Sequence, residues 1–108
     1  MAAFLIVDED RNFREALAIS LRLDGHGAQV AASAEEAALH LATRRYAFCV
    51  IDAHLWDADR VVEAAGRSGA STVLTGPHAD LVESAVRRHP TALALPKPFD
   101  AGALAALV

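Results

Sequence analysis

Phe4-Leu5-Ile6-Val7-Asp8-Glu9-Asp10 sets an unbroken apolar run against three consecutive acids. With Ala3 in front, the run has the length of one strand. It lacks the apolar–polar alternation of a strand with one wet face, so residues 3–7 read as a strand covered on both sides. The pattern returns along the chain. Residues 47–52 end Phe48-Cys49-Val50-Ile51-Asp52, apolar again up to one acid, and residues 71–75 end Val73-Leu74-Thr75. Residues 28–32 and 91–95 complete a set of five apolar runs.

Helical spacing fills the gaps. Over residues 11–24, Phe13, Ala16, Leu17, Ser20 and Leu21 fall on one helix face. Asp10 or Asn12 can cap that helix, and Gly25 lies just past its end. Ser33-Ala34-Glu35-Glu36 fits a capping box that opens a helix to about Thr43. A short third helix is expected over 60–65, stopped by Gly66 and Gly69. A fourth is expected over 78–88, between Gly76-Pro77 and Pro90, and a last over 101–108, capped by Asp100. Strands alternating with helices imply a parallel sheet with right-handed crossovers. Ligands of such sheets sit outside the carboxyl ends of the strands. The residues there should therefore converge: Asp8, Glu9 and Asp10 after the first strand, Asp52 after the third, Thr75 after the fourth and Lys97 after the fifth.

That set has a chemistry. Clustered carboxylates repel one another unless a cation sits among them, and oxygen ligands with room for water suit Mg²⁺ or Mn²⁺. A carboxylate beside such a metal can attack phosphorus, while an ammonium and a hydroxyl hold phosphoryl oxygens as charge develops. Taken singly, each residue is a helix cap, a strand-end threonine or a surface lysine; their ordered placement at strand ends carries the reading. Lys97 is also the one lysine among ten basic residues.

Composition narrows the rest. A chain of 108 residues, 54% hydrophobic, fits one domain over 1–108 with a real core. No apolar run approaches the ~20 residues of a membrane span, and the N-terminus lacks the basic flank of a signal peptide. A cytoplasmic protein without membrane contact is the expectation. A net charge of -4 argues against broad electrostatic binding of nucleic acid by this domain. Cys49, the single cysteine, lies in an apolar run and reads as a small buried hydrophobe. The histidines show no metal-ligand spacing. Trp56, in a loop beside the predicted site, is either a packed loop anchor or a contact to a partner.

Phe4–Asp10, Cys49–Asp52, Val73–Gly76 and Leu95-Pro96-Lys97-Pro98-Phe99 together resemble the receiver domains of two-component response regulators, the CheY-like superfamily. The resemblance spans essentially the whole chain. It implies a flavodoxin-like α/β fold: a doubly wound, five-stranded parallel sheet of order 2-1-3-4-5 with helices on both faces. It makes Asp52 the phosphoacceptor, Asp8 and Glu9 the acidic pair that organises Mg²⁺, and the backbone carbonyl of His54 a further metal ligand. Asp10 could share the duty of Glu9. Thr75 becomes the hydroxyl that moves to meet the phosphoryl group, and Lys97 the lysine that pairs with it. A cis peptide is implied between Lys97 and Pro98. The implied donor is a phosphohistidine on a sensor histidine kinase or a phosphotransfer protein. The domain would catalyse its own phosphorylation and dephosphorylation, and change partner or homodimer contacts on the face made by the fourth helix, fifth strand and fifth helix, where Arg87 and Arg88 lie.

Several positions depart from the family pattern. Glu9 replaces the commoner second Asp. Trp56 and Arg60 stand where a Pro and a Gly are usual, and Ala94 occupies the place of the switch aromatic. The last helix is short, as in a domain cut from a longer regulator. The losses at positions 56, 60 and 94 support an alternative, a degenerate receiver acting as a phosphorylation-independent interaction module, while the intact Asp52, Thr75 and Lys97 oppose it. Asp8-Glu9-Asp10 also resembles the start of the haloacid dehalogenase phosphatases. That family needs a larger fold and a Thr or Val where this chain has Asn12, so the reading is set aside.

Overall fold

The computed structural model describes residues 1–108. The strands are β1 (Ala3–Val7), β2 (Gly27–Ala31), β3 (Phe48–Asp52), β4 (Ser71–Gly76) and β5 (Leu93–Pro96). They alternate with α1 (Arg11–Leu23), α2 (Ala34–Thr43), α3 (Ala58–Ser68), α4 (Ala79–Arg88) and α5 (Ala101–Ala105). The sheet is parallel throughout, in the order β2-β1-β3-β4-β5. This is the flavodoxin-like order that the resemblance implied.

Strand periodicity explains the unbroken apolar runs. Successive side chains on a strand point to opposite faces, and both faces here are covered. Phe4 and Ile6 of β1 join Val50 and Val73 in a core closed by Leu17, Ala18 and Leu21 of α1 and Leu104 of α5. Leu5 and Val7 join Cys49, Ile51 and Leu74 in a second core, closed by α2, α3 and α4 through Leu41, Val61, Val62 and Val82. No helix is long and apolar enough to cross a membrane.

The caps decide where chain enters and leaves each helix. The Asp10 carboxylate, rather than Asn12, caps α1 by accepting from the Phe13 N–H, and Ser33 Oγ caps α2 by accepting from the Glu36 N–H. Gly25 beyond α1 and Gly69 beyond α3 have φ of 89° and 86°, a left-handed backbone that glycine adopts without steric cost.

The third helix corrects the sequence reading. It runs from Ala58 to Ser68, not over the short span 60–65. Gly66 lies inside it: a glycine there costs about 1 kcal/mol relative to alanine, and burial of Val61, Val62 and Ala65 on the same helix outweighs that. Its start carries no side-chain cap; Asp57 turns the chain instead with a positive φ of 63°. The strand β5 also starts later than expected, at Leu93, because the Ala92 N–H closes a turn onto the His89 carbonyl.

Cys49 is fully buried, and burial pushes its thiol up to about 12. The native thiol should therefore alkylate roughly a thousandfold more slowly at pH 8 than a free cysteine. Timed iodoacetamide labelling, with and without denaturant, checks this. The unfolded thiol loses its proton near its ordinary 9.0 while the folded one keeps it to about 12. This contribution is complete below pH 9 and is lost as pH rises toward 12.

Candidate functional site

Two acids at the carboxyl edge of the sheet are buried, Asp8 just after β1 and Asp52 as the last residue of β3. Neighbouring strands bring them together, since β1 pairs directly with β3. Lys97, just past β5, reaches across to both. Its Nζ donates to Asp8 Oδ2 at 2.7 Å and to Asp52 Oδ2 at 3.3 Å. The ammonium also stands 4.0 Å from the centroid of the Phe13 ring, which Phe99 supports in an edge-on contact. The Lys97 N–H donates to the Gly76 carbonyl at 2.8 Å, and the Lys97–Pro98 peptide is cis, as the resemblance implied.

The remaining carboxylate oxygens are held by the loops. Asp8 Oδ1 accepts from the Asp10 N–H at 2.9 Å, and Asp52 Oδ1 from the His54 N–H at 2.7 Å. The His54 ring lies 3.3 Å from that same Asp52 oxygen through Nδ1. Glycine at 76 makes room for it. A Cβ there would sit 3.0 Å from His54 Nδ1, tighter than carbon normally comes.

Thr75 is the register partner of Asp52 on β4. It is 1% exposed, yet its Oγ1 has no hydrogen-bond partner. A buried orphan hydroxyl costs about 1–3 kcal/mol of lost hydration. It stands one strand from the Asp52 carboxylate, so an unsatisfied donor lies at the same edge of the sheet.

Charge at the site is unbalanced. Two carboxylates, both buried, and one ammonium leave a formal -1. Burial raises the Asp8 carboxyl above its usual range, only partly offset by the Lys97 hydrogen bond and the Asp10 N–H, and the Asp52 charge adds to the rise. For Lys97, burial works against the ammonium, but the Asp8 hydrogen bond and both carboxylate charges outweigh it and raise its pKa. A divalent cation would relieve this excess, and the donors are all hard oxygens, which suits Mg²⁺ or Mn²⁺. No three acid, histidine or cysteine side chains stand close enough to complete a metal site by themselves.

The other predicted residues are placed differently. Glu9 is exposed and borders a hollow of about 250 Å³ with Trp56 and Arg60. Asp10 is exposed and its carboxylate is engaged as the α1 cap. Trp56 is 81% exposed, so it is not a packed anchor. Ala94 is exposed on the edge strand β5, beside Leu93 at 46%. Sequence reasoning missed the part played by Gly76 beneath His54, and the Phe13 ring beside Lys97. The apolar spacing of α1 marked Phe13 only as core.

No family model matches the sequence, and no curated protein matches it. Solved structures do. A response regulator receiver protein from Pseudomonas putida is 29% identical, with a TM-score of 0.80 over 97% of this chain and 93% of that one. A CheY-like receiver domain protein from Methanospirillum hungatei is 22% identical, with a TM-score of 0.84 over 99% of this chain and 90% of that one. A Burkholderia pseudomallei response regulator, solved with a phosphorylated aspartic acid, a calcium ion and citrate, is 21% identical; its TM-score is 0.81 over 98% of this chain and 65% of that one.

Proposed function

We propose, starting from the receiver fold this chain shares with those structures, that it is a phosphorylation switch of a two-component system with Asp52 as acceptor. The observation that carries this is the Lys97 bridge between Asp8 and Asp52, one strand from an unpartnered Thr75 hydroxyl. In the transfer, a carboxylate oxygen of Asp52 bonds to phosphorus as the bond from phosphorus to the donor breaks. The electron pair of that bond leaves with the donor, an imidazole of a sensor histidine kinase or phosphotransfer protein. Lys97 then holds one phosphoryl oxygen and Thr75, moving toward it, donates to another, so an ammonium and a hydroxyl meet the developing charge. Mg²⁺, held by Asp8, Asp52 and the His54 carbonyl with Glu9 or Asp10 near, would neutralise charge on the transferring group. The new contacts of Lys97 and Thr75 bias the domain between two conformations. Partners, a second copy among them, would read that change on the α4–β5–α5 face, in the cytoplasm.

Incubation with acetyl phosphate and Mg²⁺ tests the proposal by intact mass: one added phosphoryl group supports it, and an unchanged mass favours the alternative. That alternative, a phosphorylation-independent interaction module, draws on one feature. Ala94 offers no ring to follow a moving Thr75.

Thr75→Val separates structure from switching. No hydrogen bond is lost in the free protein, so its stability should change by no more than about 1 kcal/mol. The gain in thermal midpoint on phosphorylation should shrink sharply, because the valine cannot donate. Scanning calorimetry of both proteins, with and without acetyl phosphate, reads both quantities.

His54 acts as a shield or guide for the water that removes the phosphoryl group. His54→Ala should change the decay rate of Asp52 phosphate at least about threefold, or ~0.7 kcal/mol of barrier. Equal decay in the two proteins refutes this role.

A further inference from the structure

The largest hollows of the molecule lie away from Asp52. Two adjoining grooves of about 330 and 380 Å³ run between α2 and α3, sharing Leu41, Ala42, Arg67 and Ser68. Their cationic lining is Arg44 and Arg45 at one end, Arg67 in the middle and Arg60 toward the other. No carboxylate lines either groove. The chain as a whole carries -4, so four of its nine arginines are gathered on one strip against the overall charge. Helix ends explain only part of this. Arg45 donates to the Ser68 carbonyl at the end of α3, at 3.4 Å. Arg60 has one distant partner, Asp57 at 4.0 Å, and Arg44 and Arg67 make no ion pair or side-chain hydrogen bond. The floor is aliphatic, with Ala38 and Leu41 from α2 and Ala64 from α3.

We propose that this groove is a docking site for an acidic amphipathic helix of a partner protein. Guanidiniums over an aliphatic floor, two of them (Arg44 and Arg67) without any partner, match a ligand with carboxylates on one edge and small apolar side chains on the next. Arg60, Ala64 and Arg67 stand at i, i+4 and i+7, one face of α3 over two turns. The two arginines are thus about 10 Å apart along the axis, the spacing of glutamates two turns apart on a helix laid alongside. No aromatic side chain lines the grooves, so nothing there can stack a nucleobase. The net negative charge also opposes a long polyanion. The proposal stands apart from the acceptor chemistry and needs no phosphorylation.

The probe is a fluorescein-labelled synthetic peptide of about five helical turns, built of Glu, Leu and Ala with the glutamates on one face, and read by fluorescence anisotropy on the full chain. Saturable binding that weakens with salt is expected. It should fall at least about tenfold, or ~1.4 kcal/mol, in R44E/R67E. It should hold within about twofold, ~0.4 kcal/mol, in R11E/A16E/S20E, which changes the net charge equally at exposed positions of α1 outside the grooves. A scrambled peptide of the same composition should bind more weakly. No saturable binding, equal losses in the two variants, or tighter groove-dependent binding of oligo-dT each overturn the proposal, the last in favour of nucleic acid.

Discussion

Asp52→Asn should leave no measurable phosphoryl group on the chain after acetyl phosphate and Mg²⁺, a loss of at least ~10³-fold in rate. An amide oxygen carries no charge to attack phosphorus, and groups that act together with a lost nucleophile cannot replace it. Asparagine can keep the oxygen that accepts from the His54 N–H at 2.7 Å, so the fold should survive. Intact mass and circular dichroism on the same samples check both halves. Other carboxylates compete poorly as acceptors. Asp8 is buried and raised in pKa, and Glu9 and Asp10 are exposed, without the Lys97 ammonium beside them.

Lys97→Ala should have the second large effect, this time on stability. The ammonium now separates two buried carboxylates, at 2.7 Å from one and 3.3 Å from the other. Without it, two negative charges on buried side chains face each other. Removing one partner of a buried pair typically costs 3–5 kcal/mol; this site opens at the sheet edge, so about 3 kcal/mol is expected. For a domain of this size that is a fall of roughly 10–20 °C in thermal midpoint. The site charge also moves from -1 to -2, so the same variant should bind Mg²⁺ more tightly than the parent. Added Mg²⁺ should therefore recover more of the midpoint in the variant. Thermal melts across a Mg²⁺ series decide it; equal metal responses in the two proteins would remove Lys97 from the site's charge balance.

Legibility in the sequence followed local physics. The strand β1 was readable to the residue, because its five apolar side chains serve both faces of the sheet and three acids end it. The Ser33 cap was readable for the same local reason, and the α1 cap to within two candidates, Asp10 and Asn12, of which Asp10 serves. Where a boundary depends on distant packing, the reading failed. Gly66 looked like a stop, but the core around Val61 and Ala65 carries the helix through it. The start of α3 has no capping side chain to announce it, only the left-handed turn at Asp57. At the site, the gathering of Asp8, Asp52, Thr75 and Lys97 was readable because parallel strands deliver their carboxyl ends to one edge. The exposure of Glu9 and the room that Gly76 leaves for His54 depend on loop geometry, which strand periodicity does not encode. The arginine groove was invisible for a related reason: its members come from two helices and the start of a loop.

Crystals of the protein grown with Mn²⁺ in place of Mg²⁺, measured at the manganese edge, address the central claim most directly. One anomalous peak is predicted within ligand distance of both the Asp8 and Asp52 carboxylates, with Lys97 drawn away from at least one of them. Manganese bound elsewhere, or a Lys97 bridge unchanged at saturating metal, would contradict a metal-assisted phosphoryl site at this edge of the sheet.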